Sequence, residues 1–198
     1  SMPVTKHNFA VKRVEDLADI IRRAFQIAQS GRPGPVLIDV PKDITASRCQ
    51  YERQSPLPLS PSPRPEESRL AKAAEMLRQS KRPFLYAGGG VIASGAAPEL
   101  LRFAETLQAP VCTSLMGLGG FPEDHPLSLG MIGMHGSYAA GMALDDSDLI
   151  VVLGARFSDR VAGDREKFGK QAKILQLDVD LAEVDKNVLV DRYLIGDL

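Results

Sequence analysis

The sequence predicts an α/β fold in which a parallel sheet is covered by helices on both faces. Helical and strand patterns alternate from about Glu66 to the end of the chain, and such alternation is typical of parallel sheets. The strand candidates are short runs that are apolar throughout, such as Leu149–Leu153, and strands of this kind are buried on both faces. A chain of 198 residues with 44% hydrophobic residues is long enough to bury the core that this fold requires.

The first zone, residues 1–44, contains one predicted helix and one predicted strand. Apolar residues recur at helical spacing, at Val14, Leu17, Ile20, Ile21, Ala24, Phe25 and Ala28. Gly31 is placed to end this helix, and the apolar residues 36–40 form a short strand before Pro41. Because one helix and one strand cannot make a domain, we expect this zone to be the tail of a preceding domain.

Residues 45–66 are a predicted linker. Five prolines stand in its second half, at positions 56, 58, 61, 63 and 65. Proline lacks a backbone donor and favours extended polyproline conformation, so this segment is expected to act as a semi-rigid spacer. A ligand for SH3 or WW domains is the alternative role for such a stretch.

Residues 67–198 are expected to form the main domain. Two helix faces are predicted in its first half, from Leu70, Ala73, Ala74 and Leu77 and from Leu100, Leu101, Ala104 and Leu107. A helix of small residues follows near residues 137–144. The predicted strands are residues 83–87, 111–113, 149–153, 174–177 and 193–195.

Composition argues against several classes of partner. The formal net charge is −1, so neither nucleic acid nor an anionic membrane is an expected partner. No apolar run approaches the length of a membrane helix. Cys49 and Cys112 are the only cysteines and lack metal-ligand spacing. They predict neither a disulfide framework nor a zinc site, and they favour a reducing location, cytoplasmic or organellar, with the cytoplasm as the predicted one.

Three glycines follow the first strand of the main domain. Gly88, Gly89 and Gly90 come directly after residues 83–87, and glycine lets the N–H groups of such a turn approach a phosphate. A nicotinamide-type site would also need an acidic residue at the end of the next strand, where residues 113–115 read Thr-Ser-Leu. The glycines therefore predict either another kind of nucleotide-binding loop or a tight turn that holds no ligand.

Charged residues follow two later strands. Arg156 and Arg160 come after residues 149–153 and are four positions apart, so both could contact one phosphate or flavin carbonyl. Asp178 ends a later strand and is suited to accept hydrogen bonds from ribose hydroxyls. The alternative is that these arginines and this aspartate pair as structural ions.

A glycine-flanked turn precedes the helix of small residues. Gly133, Met134, His135 and Gly136 are expected to open that helix, with free N–H groups that face the same edge of the sheet. His135 could act as a base or metal ligand, but the absence of a second histidine nearby in sequence favours a packing or cofactor-contact role. Four methionines are expected in the core or in a pocket lining, namely Met116, Met131, Met134 and Met142.

Several motifs together resemble the acetolactate synthase (acetohydroxyacid synthase) family. Residues 30–43, SGRPGPVLIDVPKD, resemble the end of that family's pyrimidine-binding domain. Residues 115–119 (LMGLG), 133–138 (GMHGSY) and 154–160 (GARFSDR) resemble motifs of the family's middle domain, in the same order. The resemblance implies a six-stranded, Rossmann-like parallel sheet that binds FAD in an extended pose.

The resemblance also implies which residues would contact FAD. The nucleotide backbone would be approached by Gly88, Gly89 and Gly90. The flavin region would be lined by Ser114, Leu115, Met116, Met134, His135 and Gly136. A further wall would be formed by Gly154, Ala155, Arg156, Asp159, Arg160 and Val161. The adenosine end would be met by Asp178 and Val179.

The same resemblance implies a place for the chain within a larger enzyme. A thiamine-diphosphate ylid decarboxylates pyruvate and the carbanion adds to a second 2-keto acid, while FAD is unchanged in the net reaction. Thiamine diphosphate and Mg²⁺ would bind outside this chain, so no catalytic or metal-binding residue is expected within it. The expected partners are the other domains of the same polypeptide, further copies in a homodimer or tetramer, and a regulatory small subunit.

Two other interpretations stay open. The middle domain of glyoxylate carboligase or pyruvate oxidase would share the fold, although residues 156–160, RFSDR, favour acetolactate synthase over these and over the flavin-free catabolic type. A stand-alone nucleotide-binding module is the alternative outside the enzyme class, and the incomplete first zone argues against it.

Overall fold

The computed structural model describes residues 1–59 and 61–198; Ser60, within the predicted linker, lies outside the described residues. The chain divides into two compact units, Ser1–Ser62 and Pro63–Leu198, and each has its own sheet. The boundary between the units falls within the proline-rich stretch. In the described part of the chain, no helix has the length and apolar character needed to cross a bilayer.

The first unit is a two-stranded parallel sheet with a helix packed on it. In chain order it contains β1 (His7–Ala10), α1 (Leu17–Gln29), β2 (Val36–Asp39) and α2 (Lys42–Ala46). β1 pairs with β2 in parallel. The sequence predicts α1 and β2 but not β1, because the four residues HNFA carry no alternating apolar pattern.

The side chain of Lys6 caps the C-terminal end of α1. The Lys6 ammonium donates hydrogen bonds to the carbonyl oxygen of Ile27 at 2.7 Å and to the hydroxyl of Ser30 at 3.2 Å. Cations are favourable at this end of a helix because its last carbonyl groups lack partners. Gly31 follows with a φ of +50°, which glycine adopts without strain.

The second unit contains the remaining elements. Its helices are α3 (Glu67–Gln79), α4 (Gly89–Ala93), α5 (Ala97–Leu107), α6 (Tyr138–Asp146) and α7 (Asp159–Ala162). Its strands are β3 (Pro83–Ala87), β4 (Val111–Thr113), β5 (Ser128–Met131), β6 (Leu149–Leu153), β7 (Lys173–Asp178) and β8 (Arg192–Ile195). All six strands are parallel and lie in the order β5-β4-β3-β6-β7-β8. The predicted six-stranded parallel sheet is confirmed.

The direction of strand addition reverses at the centre of this sheet. The chain runs outward from β3 to β5, returns to place β6 beside β3, and then runs outward to β8. In such sheets the loops after the two central strands diverge, and ligands bind in the crevice between them. The loops after β3 and β6 therefore mark the position of a candidate functional site.

Apolar packing covers both faces of the sheet. One layer contains Val151 of β6 with Leu100 of α5. The other contains Ile150, its neighbour on the same strand, with Ala140 of α6. Because neighbouring residues of a strand point to opposite faces, all five residues of β6 are buried. The prediction of a sheet covered on both faces is confirmed.

In the second unit, β5 is not predicted from the sequence, and the connection from β7 to β8 departs from the alternation of strands and helices. β5 is not among the predicted strands, because Gly130 stands in it at a φ of +78° and glycine weakens a strand pattern. Its pairing with β4 is irregular, with a shift of register between Val111 and Thr113. The connection from β7 to β8 contains only the single 3-10 turn Leu181–Glu183.

Candidate functional site

The loops that follow the strands meet at the carboxyl-terminal edge of the sheet. Because β3, β4, β6 and β7 are parallel, their last residues lie at the same edge. Four predicted segments lie along it: residues 88–90, 114–116, 154–156 and 178–179. The N–H of Gly154 donates to the carbonyl oxygen of Leu177 at 2.9 Å. This hydrogen bond joins the loop after β6 to the end of β7.

The glycines after β3 pack against the loop after β6. Gly88 donates its N–H to Leu153 O at 2.8 Å, and Gly90 donates to Gly154 O at 3.0 Å. A Cβ on Gly90 would lie 2.6 Å from the Cα of Gly154, and one on Gly88 would lie 2.6 Å from the Cα of Ala155. Two of the three amides expected to cradle a phosphate are thus bonded to protein, and their glycines permit close contact between the loops.

The loop after β4 presents apolar side chains beside these glycines. The Ser114 hydroxyl accepts the N–H of Gly117 at 3.1 Å, and a Cβ on Gly117 would lie 2.5 Å from Ala87 O. The backbone is therefore held over the end of β3. Leu115 and Met116 are nevertheless 68% and 75% exposed. Their side chains are available to an apolar ligand.

The turn of residues 133–136 lies before α6 and is tied to α7. The N–H of Met134 donates to Arg160 O at 2.8 Å, and a Cβ on Gly133 would lie 2.4 Å from that same oxygen. α6 begins only at Tyr138, after the cap residue Ser137. The turn therefore does not supply the free helical N–H groups that the sequence predicts. It does bring Met134 beside Arg160, whose Nη1 lies 3.8 Å from the Met134 sulfur.

His135 is exposed in this turn. In the described part of the chain, no group of three or more His, Cys, Asp and Glu side chains is arranged to hold a metal ion. The nearby Arg160 guanidinium pairs with the Asp159 carboxylate at 3.8 Å, where both side chains are exposed. Such an exposed pair contributes little to stability, so these side chains are available to a ligand.

Arg156 and Asp178 differ in their surroundings. Arg156 is exposed, and among the described residues no hydrogen bond or ion pair is made by its guanidinium. Asp178 is 8% exposed, and its Oδ1 accepts the N–H of Asp180 at 2.9 Å.

Two buried groups beneath this edge are neutral at physiological pH. Burial raises the pKa of Tyr86 to about 12, although the charge of Arg156 acts in the opposite direction. Burial also raises the pKa of the Cys112 thiol to about 12. A reactive cysteine needs a lowered pKa, so Cys112 is not an activated nucleophile.

Sequence reasoning missed several polar residues near the edge. The Tyr86 hydroxyl donates to Arg156 O at 3.3 Å, and Asn187 Nδ2 donates to Phe157 O at 2.7 Å. In residues 1–59 and 61–198, the only buried side-chain nitrogen and oxygen atoms without a hydrogen-bond partner are Thr113 Oγ1 and Nε2 and Oε1 of Gln176. A polar residue within an apolar strand is the signal that could have identified Tyr86 and Gln176.

The open parallel sheet, with loops converging at its central crevice, places the second unit in the class of Rossmann-like α/β domains. Within that class the chain belongs to a specific family. The family model described as "Thiamine pyrophosphate enzyme, central domain" matches residues 70–198. The chain is therefore a member of the thiamine pyrophosphate enzyme central-domain family.

Similar proteins support the resemblance seen in the motifs. The chain is 49% identical over 203 residues to the probable acetolactate synthase large subunit of Methanocaldococcus jannaschii, covering 99% of the chain and 34% of that protein. It is 46% identical over 187 residues to the acetolactate synthase isozyme 1 large subunit of Escherichia coli, covering 94% of the chain and 33% of that protein. The resemblance to acetolactate synthase large subunits is confirmed, and the chain spans about a third of these relatives' length.

A solved structure shares the fold at lower identity. Benzoylformate decarboxylase from Polynucleobacter necessarius matches with a TM-score of 0.81 and 28% sequence identity, over 98% of this chain and 36% of that one. The similarity in fold thus extends beyond the proteins called acetolactate synthase.

Proposed function

We propose that this chain is part of an acetolactate synthase large subunit, in which residues 67–198 form the central FAD-binding-type domain. Residues 1–44 would be the tail of the pyrimidine-binding domain, and residues 45–66 would be the linker. The observation that carries the proposal is the convergence of the glycine loop, Arg156 and Asp178 on one edge of the sheet. The 49% identity to an acetolactate synthase large subunit supports it.

The parent enzyme in this proposal condenses pyruvate with a second 2-keto acid in branched-chain amino-acid biosynthesis. Thiamine diphosphate and Mg²⁺ bind outside this chain, so the chain by itself is inactive. The relatives are called large subunits, which supports a regulatory small subunit as a partner. The other domains of the polypeptide and further copies in a homodimer or tetramer are the remaining partners, and the cytoplasm is the proposed location.

The residues at the edge fit the chemistry of a flavin nucleotide. Leu115, Met116 and Met134 expose apolar surface of the kind that binding pockets offer to aromatic ligands. The planar guanidinium of Arg156 is suited to phosphate, and the Asp178 carboxylate is suited to ribose hydroxyls. FAD would contribute a bound structural group here and no net redox step.

Titration of the 198-residue chain with FAD, followed by fluorescence and calorimetry, tests the proposal. We expect binding in the micromolar range or weaker, or no detectable binding, because the other domains would complete the pocket in the parent. Arg156→Gln should weaken binding by about tenfold to a hundredfold, since hydrogen bonds to charged groups contribute about 1.5–3 kcal/mol. Arg165→Gln removes the same charge from a loop near Ile174, at the start of β7, and should leave the affinity unchanged.

Two outcomes of this titration would contradict parts of the proposal. Equal measurable binding by wild type and Arg156→Gln would argue against a flavin site at this edge. Submicromolar affinity would show that the chain completes the pocket without the other domains.

A related thiamine enzyme is the second candidate for the parent. The similarity to benzoylformate decarboxylase favours it, and glyoxylate carboligase and pyruvate oxidase are alternatives of the same kind. The chain is 28% identical to benzoylformate decarboxylase and 49% identical to an acetolactate synthase large subunit. The higher identity favours acetolactate synthase as the parent.

A further inference from the structure

In the loop after β6, the backbone of residues 155–157 is held in place, whereas the charged side chain of Arg156 is exposed. Ala155 and Phe157 are 5% and 2% exposed, respectively, whereas Arg156 between them is exposed. Two buried neighbours determine the path of the backbone through this position. The direction of the Arg156 side chain therefore depends on what holds residues 155–157 in place.

The first anchor is the phenol of Tyr86. Tyr86 is 1% exposed in β3, and its hydroxyl donates to Arg156 O at 3.3 Å across 70 positions in sequence. The N–H of Ser158 donates to the same carbonyl oxygen at 3.0 Å. Arg156 is thus bonded through its backbone to the central strand of the sheet, while its guanidinium stays outside.

The second anchor is the amide of Asn187, in the connection between β7 and β8. Its Nδ2 donates to Phe157 O at 2.7 Å. The Phe157 ring also packs edge-to-face on Phe168, with ring centroids 5.5 Å apart. The two successive carbonyl groups of Arg156 and Phe157 are therefore each held by a buried or half-buried side chain.

We propose that Tyr86 and Asn187 are positioning residues that hold the loop after β6 so that the Arg156 guanidinium faces the phosphate groups of a bound dinucleotide. The inference rests on the proposed function for the identity of the ligand. Neither residue needs to touch the ligand. Each acts through the backbone of Arg156 or Phe157.

Two substitutions remove the anchors with little change in packing, and each has a matched control. Tyr86→Phe deletes the hydroxyl and keeps the ring, and Tyr193→Phe does the same where Arg69 lies over the ring face at 4.8 Å. Asn187→Ala deletes a side-chain donor to a backbone carbonyl. Gln171→Ala deletes an equivalent donor, to Leu144 O at 2.8 Å, outside the loop.

Binding of FAD to the 198-residue chain gives the first measurement. Tyr86→Phe and Asn187→Ala should each weaken FAD binding by about threefold to tenfold, the range that follows from losing one hydrogen bond. The two control variants should bind FAD as the wild type does. Unchanged affinity in both loop variants would overturn the proposal.

A double-mutant cycle shows whether the effect passes through Arg156. If it does, Tyr86→Phe should cost much less affinity in the Arg156→Gln background than in the wild type. The salt dependence of FAD affinity should fall in Tyr86→Phe as it does in Arg156→Gln, because salt screens the guanidinium–phosphate attraction. A purely structural role would give additive losses and an unchanged salt dependence.

Hydrogen exchange of the free protein separates this inference from the proposed function. Amides of residues 155–160, including Ser158, should exchange faster in Tyr86→Phe and Asn187→Ala, with protection elsewhere in the sheet unchanged. If the 198-residue chain does not bind FAD in the absence of the other domains, the exchange data still decide whether the anchors hold the loop. Wild-type exchange rates in both variants would refute the anchoring itself.

Discussion

Gly90 and Gly141 show that two helical glycines of one unit have different roles. A Cβ on Gly90 in α4 would lie 2.6 Å from the Cα of Gly154, whereas a Cβ on Gly141 in α6 would meet no atom within 4 Å. The backbone atoms that oppose Gly90 cannot move away as a flexible side chain could. The first glycine is therefore required by packing, and the second weakens its helix.

We expect Gly90→Ala and Gly141→Ala to change stability in opposite directions. Gly90→Ala should lower the free energy of unfolding by about 1–3 kcal/mol through overpacking. Gly141→Ala should raise it by about 0.5–1 kcal/mol, because alanine loses less backbone entropy in a helix. Urea titrations of both variants measure these differences. Equal midpoints for Gly90→Ala and the wild type would contradict the close approach of the two loops.

The candidate site was predictable where its residues follow strands. Arg156 stands three residues after the apolar run 149–153 and Asp178 stands directly after Leu177, and parallel pairing alone places such residues at one edge. Tyr86 and Asn187 could not be linked to Arg156 in this way, because they lie 70 and 30 positions from the groups they bond. The close packing of Gly90 could not be predicted either, because Gly154, against which it packs, is distant from it in sequence.

At the scale of elements, one carboxylate joins the starts of β3 and β6, at the edge of the sheet opposite the candidate site. Asp148, just before β6, accepts the N–H groups of Lys81 and Arg82 at 2.8 and 3.1 Å and the hydroxyl of Ser80. These donors belong to the turn between α3 and β3. One side chain thus ties the starts of the two central strands together, away from the candidate site.

The free energy of unfolding should depend on pH, because the pKa of the Asp148 carboxyl group differs between the folded and the unfolded chain. Burial alone would raise the pKa of its carboxyl group, but the hydrogen bonds from Ser80, Lys81 and Arg82 outweigh burial and lower the pKa. The folded pKa is therefore below the unfolded value of about 3.9. The stabilising contribution is present above pH ~4 and is lost as pH falls through the folded pKa.

Asp148→Asn tests this dependence in urea titrations from pH 7 to pH 3. We expect it to lower the free energy of unfolding at pH 7 by about 1–3 kcal/mol, and its difference from the wild type should shrink below pH ~4. Asp124→Asn is the control, since its side chain is exposed in the turn before β5 and such surface substitutions change stability little. A difference for Asp148→Asn that is constant with pH would contradict the ionised hydrogen-bonding role.

Strands that are buried on both faces were predicted more accurately than strands that are only partly buried. β3, β4 and β6 were predicted with the bounds they have, because strands buried on both faces are apolar throughout. β1 was missed because residues HNFA have no continuous or alternating apolar pattern, and β5 was missed because Gly130 interrupts the short run SLGM. Their pairing depends on neighbouring strands that are distant in sequence, which tertiary context supplies and local pattern does not.

At the scale of the whole molecule, the buried apolar core is unevenly divided between the two units. Within Ser1–Ser62, the buried hydrophobic residues among those described are Val11, Ala24 and Ile44. Both core layers of the six-stranded sheet lie in Pro63–Leu198. A two-stranded sheet is at best marginally stable alone, whereas a domain with its own two-layer core can fold independently.

We therefore expect a chain of residues 63–198 to fold alone and a chain of residues 1–62 to remain largely unfolded. The longer piece should unfold cooperatively in urea, with a midpoint close to that of the matching transition in the 198-residue chain, because its core layers are intact. Circular dichroism and amide NMR dispersion would measure folding of each piece. Gly141→Ala should stabilise residues 63–198 as it does the full chain. Loss of cooperative unfolding in the 63–198 piece would show that its sheet depends on residues 1–62.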